Sequence, residues 1–143
     1  YAGVLLYETL HKFGYASAPQ SLAADDGLTL TGCRITNAVK CLPPANKPEP
    51  GEIRECNRYL AAELEALPGH ASILALGQIA HQAVLRAKGL KLKDYPFAHA
   101  SDYRLPGGRR LVSSYHCSRY NTQTRRLTPE MFEAVFTRIQ AKD

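Results

Sequence analysis

Hydrophobic and polar positions along the chain follow the two periods that distinguish helices from strands. Apolar residues three to four positions apart predict helices over 2–13, 52–67, 78–88 and 128–139. Short apolar runs, one of them rich in β-branched residues, predict strands over 29–39, 72–76 and 111–115. Because strands alternate with helices, the pattern favours an α/β layer fold around a parallel sheet.

Two unusual loops follow predicted strands. The first comes after Asn37 and contains CLPPANKPEP over 41–50, where four prolines in ten residues exclude a helix or a central strand. The second begins at His116 and is strongly polar, with the sequence HCSRYNTQTRR. Since sites in open α/β sheets lie at the carboxyl ends of strands, these loops are the candidate functional regions.

The composition narrows the class of protein. A chain of 143 residues that is 45% hydrophobic and 22% charged is typical of one globular domain, which excludes disordered and collagen-like chains. No apolar run approaches the length of a membrane span. Four irregularly spaced cysteines favour a reducing compartment, and we expect a cytoplasmic protein.

Positive charge is concentrated in the second half of the chain. Residues 1–72 contain 6 Lys and Arg against 8 Asp and Glu, whereas residues 73–143 contain 12 against 5. The segment 104–126 has no acidic residue and contains Arg104, Arg109, Arg110, Arg119, Arg125 and Arg126. This segment predicts contact with a polyanion, nucleic acid first, although a solvated basic surface would explain the charge alone.

The residue types in the second loop suit chemistry on a nucleic acid. A neutral imidazole at His116 can donate a hydrogen bond to charge that develops on a leaving group. Hydroxyl and amide groups that can bind phosphate belong to Ser118, Asn121 and Thr122, and nearby positive charge comes from Arg119, Arg125 and Arg126. The structural alternative is that His116 only caps the end of the strand.

The first loop offers an amide and two thiols. The amide of Asn37 can both donate and accept, as the reading of a base edge requires, although a turn-forming asparagine is the simpler alternative. Cys41 and Cys56 are separated by 14 residues and could be half of a four-cysteine iron–sulfur or zinc site. On spacing alone, buried structural thiols are favoured.

Three motifs resemble those of one enzyme family. KCLPP…EIREC, ILALGQIAH and YHCSRYNTQT are similar to segments of the uracil-DNA glycosylase superfamily, specifically its iron–sulfur branch, family 5. The resemblance implies an enzyme that flips uracil, or another deaminated base such as hypoxanthine, out of DNA and hydrolyses its N-glycosidic bond without a lyase step. It also implies a three-layer α/β/α fold with a central parallel four-stranded sheet.

The resemblance assigns roles to particular residues. It implies that Cys41 and Cys56 are two of four ligands of a 4Fe-4S cluster. It implies that His116 stabilises the departing base, that Asn37 lies at the base pocket, and that the residues after His116 form a loop inserted into the minor groove. The expected protein is a bacterial monomer acting on DNA that contains uracil.

The sequence also departs from the family pattern. Tyr1–Ala2–Gly3 resembles the end of the first catalytic motif, and neither the rest of that motif nor the family's CxxC occurs in residues 1–143. We therefore expect a single domain truncated at its N-terminus and inactive alone. Cys117 and Arg125 stand where relatives commonly have Pro and Gly. A non-catalytic DNA-binding module and a zinc-stabilised structural protein are the alternatives.

Overall fold

The computed structural model describes residues 2–19, 30–36 and 50–141, with the backbone alone described for 2–3, 50–57 and 119. These residues form helices α1 (Ala2–Lys12), α2 (Pro50–Glu65), α3 (Gln78–Ala87), α4 (Arg119–Gln123) and α5 (Pro129–Gln140), a 3-10 turn (Leu92–Asp94), and strands β1 (Ile73–Leu76), β2 (Asp102–Arg104) and β3 (Arg110–Ser114). The chain divides into two compact units. The terminal unit combines 1–35 with 115–143, and the central unit is 36–114.

The central unit is built on a small mixed sheet with the strand order β1-β3-β2. Strand β1 runs parallel to β3, with Ile73 opposite Leu111, and β2 runs antiparallel to β3. All five residues of β3 are buried because this strand lies between the other two. The predicted α/β class is confirmed.

The sheet differs from the predicted four parallel strands, because the described residues contain three strands and β2 is antiparallel. The segment LPGGR, residues 105–109, explains why β2 is antiparallel to β3. Gly107 and Gly108 adopt φ of 95° and 94°, and the Leu105 amide donates to the Arg109 carbonyl at 2.7 Å. A tight turn of this kind joins antiparallel neighbours, whereas parallel strands need a long crossover.

Residues 30–36, the described part of the strand predicted over 29–39, do not form a strand. Residues 30–36 form only an isolated bridge between Leu30 and Ala16. Gly32 has a φ of 72°, which interrupts the extended backbone required for a strand. Residues 29 and 37–39 lie outside the described residues.

The core of the central unit lies where α2, α3 and the sheet meet. Its buried residues are Leu60, Leu64, Ile73, Ala75, Ala83, Val84, Leu85, Leu105 and Leu111. His81 of α3 is buried beside this core and bonds two further segments. Its Nε2 lies 2.7 Å from the Tyr95 carbonyl, and its Nδ1 lies 2.6 Å from Ser113 Oγ. Since a carbonyl only accepts, Nε2 is the donor in the first of these bonds.

The terminal unit packs α1 against α5. Gly14 ends α1 with a φ of 87°, and the Tyr15 amide donates to the Leu10 carbonyl at 2.8 Å, as in a Schellman cap. Thr128 begins α5 by accepting a hydrogen bond from the Met131 amide at 3.2 Å. The rings of Phe13 and Phe136 lie 5.5 Å apart between the two helices.

The four predicted helices are confirmed as α1, α2, α3 and α5, and the predicted strands over 72–76 and 111–115 are confirmed as β1 and β3. The polar loop after His116 contains one element that the sequence pattern did not predict, the short helix α4. No helix in the described ranges combines the length and apolar character needed to cross a membrane.

Candidate functional site

Residues 115–128, here called the His116 loop, directly follow β3 in the sequence and belong to the terminal unit. Local hydrogen bonds give the loop a defined shape. Ser118 Oγ accepts from the Asn121 amide at 3.3 Å and thereby caps the N-terminus of α4. Asn121 Nδ2 donates to the His116 carbonyl at 2.8 Å, and the Asn121 carbonyl accepts from the Leu127 amide at 3.1 Å.

The threonines of the loop also bond to its own backbone. Thr122 Oγ1 donates to the Ser118 carbonyl at 3.1 Å, and Thr124 Oγ1 donates to the Tyr120 carbonyl at 2.8 Å. Such bonds to the preceding turn are a common use of hydroxyl groups in helices. The three residues predicted to bind phosphate through hydroxyl or amide groups therefore each contribute a hydrogen bond to folding the loop; they are Ser118, Asn121 and Thr122.

His116 and Cys117 occupy contrasting environments in the loop. His116 is exposed, yet partial desolvation lowers the pKa of its imidazole. Its ring is therefore neutral at pH 7, with one nitrogen able to donate and the other able to accept. Cys117 is 2% exposed, and its burial raises the pKa of the thiol. Cys117 thus anchors the loop as a buried, protonated thiol.

The cationic side chains of the loop lie at its surface. Arg125 and Arg126 are both exposed, and Arg126 Cζ lies 5.4 Å from the centre of the Tyr115 ring, a cation–π distance. Arg125 has a φ of 61°, a left-handed conformation that favours glycine. For Arg119 the structure describes the backbone alone, at the start of α4.

Sequence reasoning missed one candidate, Tyr120. Its side chain is 69% exposed, although a tyrosine is large and partly apolar. An exposed aromatic ring among arginines is typical of surfaces on which nucleic-acid bases stack. The signal was present in the sequence as an aromatic residue inside the polar, basic loop.

An open groove of about 500 Å³ lies in the terminal unit beside the loop. Arg125 and Thr122 contribute to its wall, together with Glu8 and Glu130 and several apolar residues. Because two carboxylates line it, the groove disfavours an anionic ligand such as a DNA phosphate.

The arginines of the hairpin formed by β2 and β3 bond within the protein. Arg109 Nη1 donates to the carbonyls of Pro68 and Ala71, both at 2.9 Å. Arg110 forms a two-pronged ion pair with Asp102 at 2.9 and 2.8 Å, and this hydrogen bonding raises the pKa of Arg110. These guanidinium groups are therefore part of the fold of the central unit.

The predicted residues of the first loop fall outside the side chains that the structure describes. Asn37 and Cys41 lie outside the described residues, and Cys56 lies in α2 with only its backbone described. Desolvation raises the pKa of the thiol of Cys33, as it does for Cys117. Within the described ranges, no group of three or more His, Cys, Asp or Glu residues is arranged to hold a metal.

Comparison with known proteins gives consistent matches. Residues 1–140 match the family described as the uracil DNA glycosylase superfamily. The chain is 51% identical to the Type-5 uracil-DNA glycosylase of Thermus thermophilus over 92% of its own length and 59% of the relative's. It is 40% identical to that of Mycobacterium tuberculosis over 94% and 51%. A Type-4 uracil-DNA glycosylase of Saccharolobus solfataricus is 30% identical over 81% and 56%.

The chain spans between about half and three fifths of the length of these curated relatives. The matches with the Type-5 proteins confirm the family resemblance indicated by the three sequence motifs.

Proposed function

Because the chain belongs to the uracil DNA glycosylase superfamily, we propose that the whole protein removes uracil from DNA by hydrolysing its N-glycosidic bond. The likeness to Type-5 uracil-DNA glycosylases supports uracil as the base. Other deaminated bases, action as a monomer and a cytoplasmic location remain parts of the proposal that rest on the sequence.

The observation that carries the proposal is an exposed histidine on a hydrogen-bonded loop. When the glycosidic bond breaks, its electron pair stays with the base, and negative charge develops on the base oxygens. A ring N–H of His116 donates a hydrogen bond to one of those oxygens and stabilises the leaving base. A water molecule then adds to the sugar cation, and the proton that it releases neutralises the departed base anion. The lowered pKa of His116 keeps the ring neutral for this role.

The same loop supplies the groups that would hold DNA. Arg125 and Arg126 are exposed and can neutralise phosphates, and we assign Arg119 to the same role from its place in the loop. Flipping a base costs a few kcal/mol of stacking, and the exposed ring of Tyr120 can offset part of it. Three further loop residues remain proposed DNA contacts, namely Ser118, Asn121 and Thr122. Their observed hydrogen bonds are to the loop itself.

Three further assignments rest on the family resemblance. Asn37 is proposed to contact the flipped base, and Cys41 and Cys56 are proposed as two ligands of a 4Fe-4S cluster. Among the described residues, Cys33 and Cys117 belong to no group of three or more His, Cys, Asp or Glu residues arranged to hold a metal. A cluster held by Cys41 and Cys56 would supply structural support, and no step of the proposed reaction uses it.

Replacement of His116 by alanine tests the proposal. We expect single-turnover release of uracil from a labelled duplex to slow by about 100- to 1,000-fold, the usual effect of removing one donor to a developing anion. The protein is made from its complete reading frame. The affinity for the duplex should change little, because the lost contact forms as the base departs.

A matched control is His70→Ala, which removes another exposed histidine. This variant should release uracil at the wild-type rate. If His116→Ala stays within a few-fold of wild type, the assigned role of His116 is wrong. Duplex binding without uracil release by the wild-type protein would favour a non-catalytic DNA-binding module.

A further inference from the structure

Asn121 bonds to both ends of the His116 loop. Its side-chain nitrogen donates to the His116 carbonyl at 2.8 Å, near the start of the loop. Its backbone carbonyl accepts from the Leu127 amide at 3.1 Å, near the end. Because a carbonyl oxygen accepts and never donates, the contact with His116 fixes which atom of the Asn121 amide is the nitrogen. The side-chain donor is thus directed at the loop's own backbone.

Two other positions of the loop are anchored by burial. Cys117, the neighbour of His116, is 2% exposed, and Leu127 is fully buried. The backbone of the loop is therefore fixed at both of these residues, while His116 itself is exposed. Because His116 is not held by burial, the hydrogen bond from the Asn121 side chain holds its backbone instead.

We propose that Asn121 is a positioning residue that fixes the backbone at His116 and thereby the place of the imidazole. This inference rests on the proposed function of His116. A displacement of about 1 Å at a reacting group can slow a reaction by about 100-fold, so one backbone hydrogen bond can matter to the rate. The role differs from contact with phosphate, in which Asn121 would act on DNA affinity.

The two roles predict opposite kinetic effects of Asn121→Ala. A positioning role predicts that single-turnover uracil release at saturating protein falls about tenfold or more, while the Kd for the duplex stays within about twofold. A phosphate contact predicts a weaker Kd and an unchanged rate at saturation. The second result would overturn the proposal. Gln123→Ala is the matched control, because Gln123 is an exposed amide of the same helix α4.

A double-mutant cycle with His116→Ala tests whether Asn121 acts through His116. If it does, adding Asn121→Ala to His116→Ala causes no further loss of rate. If the two losses multiply, Asn121 acts independently of His116 and the proposal is wrong.

A measurement independent of activity separates this inference from the proposed function. Asn121→Asp keeps the size of the side chain but replaces the donor with an oxygen, which repels the His116 carbonyl. We expect the carbonyl carbon resonance of His116 to shift in both Asn121→Asp and Asn121→Ala and to stay unchanged in Gln123→Ala. An unchanged resonance in the Asn121 variants overturns the inference. Absence of uracil release by the wild-type protein would instead refute the proposed function.

Discussion

In the hairpin of the central unit Arg109 and Arg110 bond inward, whereas in the His116 loop Arg125 and Arg126 lie at the surface. Arg109 donates to backbone carbonyls of the turn after α2, and Arg110 pairs with Asp102, with the two side chains only 10% and 16% exposed. Arg125 and Arg126 are exposed, and the observed partner of Arg126 is the face of the Tyr115 ring.

The contrast shows that a count of arginines overestimates the surface available to DNA. The turn after α2 presents carbonyl groups that need donors, and a guanidinium group has five N–H donors in a fixed fork. The net charge of a segment therefore does not reveal which cationic side chains already form hydrogen bonds or ion pairs within the protein. Positive charge near DNA must be assigned side chain by side chain.

The largest effect should come from removing Arg110. Arg110→Met removes the two-pronged ion pair from the nearly buried carboxylate of Asp102, and we expect the free energy of unfolding to fall by about 3 kcal/mol. Urea unfolding measures this change. Combining Asp102→Leu with Arg110→Met should restore much of the loss, because no unpaired charge remains. A loss well below about 1 kcal/mol for Arg110→Met would place this pair with ordinary surface ion pairs.

A smaller loss is expected for Arg109→Lys. Lysine keeps the charge but cannot reproduce the fork that reaches Leu67, Pro68 and Ala71, so the unfolding free energy should fall by about 2 kcal/mol. Arg104→Lys is the control, because Arg104 is exposed and its Nη1 donates to the nearby Gly108 carbonyl at 3.0 Å. That variant should change stability by less than about 0.5 kcal/mol. Equal effects of the two substitutions would argue against a special role of the Arg109 fork.

The smallest effect concerns the backbone of the loop. Arg125 has a left-handed φ of 61°, which glycine adopts without the steric conflict of a Cβ atom. We expect Arg125→Gly to be more stable than Arg125→Ala by about 1 kcal/mol, although both remove the same charge. Thermal unfolding of the two variants measures the difference. If the Arg125→Ala variant is as stable as the Arg125→Gly variant, the loop does not impose the left-handed conformation at this position.

The sequence predicted those elements whose signals are local. Helix α5 has an apolar face together with Thr128 and Pro129 at its start, and the helix predicted over 2–13 is α1, which is followed by the left-handed Gly14. Helix α4 was not predicted, because five polar residues have no apolar period and the cap at Ser118 defines the helix. Strand β2 was not predicted, because it has three residues and exists through its pairing with β3.

The sequence pointed to the His116 loop as a candidate site but not to the contacts within it. The polar composition around His116 identified the loop, whereas the hydrogen bond from Asn121 to His116 depends on how five residues fold back. The hydrogen bond from Arg109 to the Pro68 carbonyl could not be predicted, because the two residues are 41 positions apart in the sequence. Local patterns do not specify such contacts.

The salt dependence of duplex binding tests the division between the two groups of arginines most directly. Each phosphate contact contributes about 0.9 to the slope of log affinity against log salt concentration. For Arg125→Gln combined with Arg126→Gln, we predict a slope smaller by about 2, and for the exposed hairpin residue Arg104→Gln we predict no change. An unchanged slope in the loop variant, or an equal decrease in the hairpin variant, would contradict the assignment of DNA binding to the His116 loop.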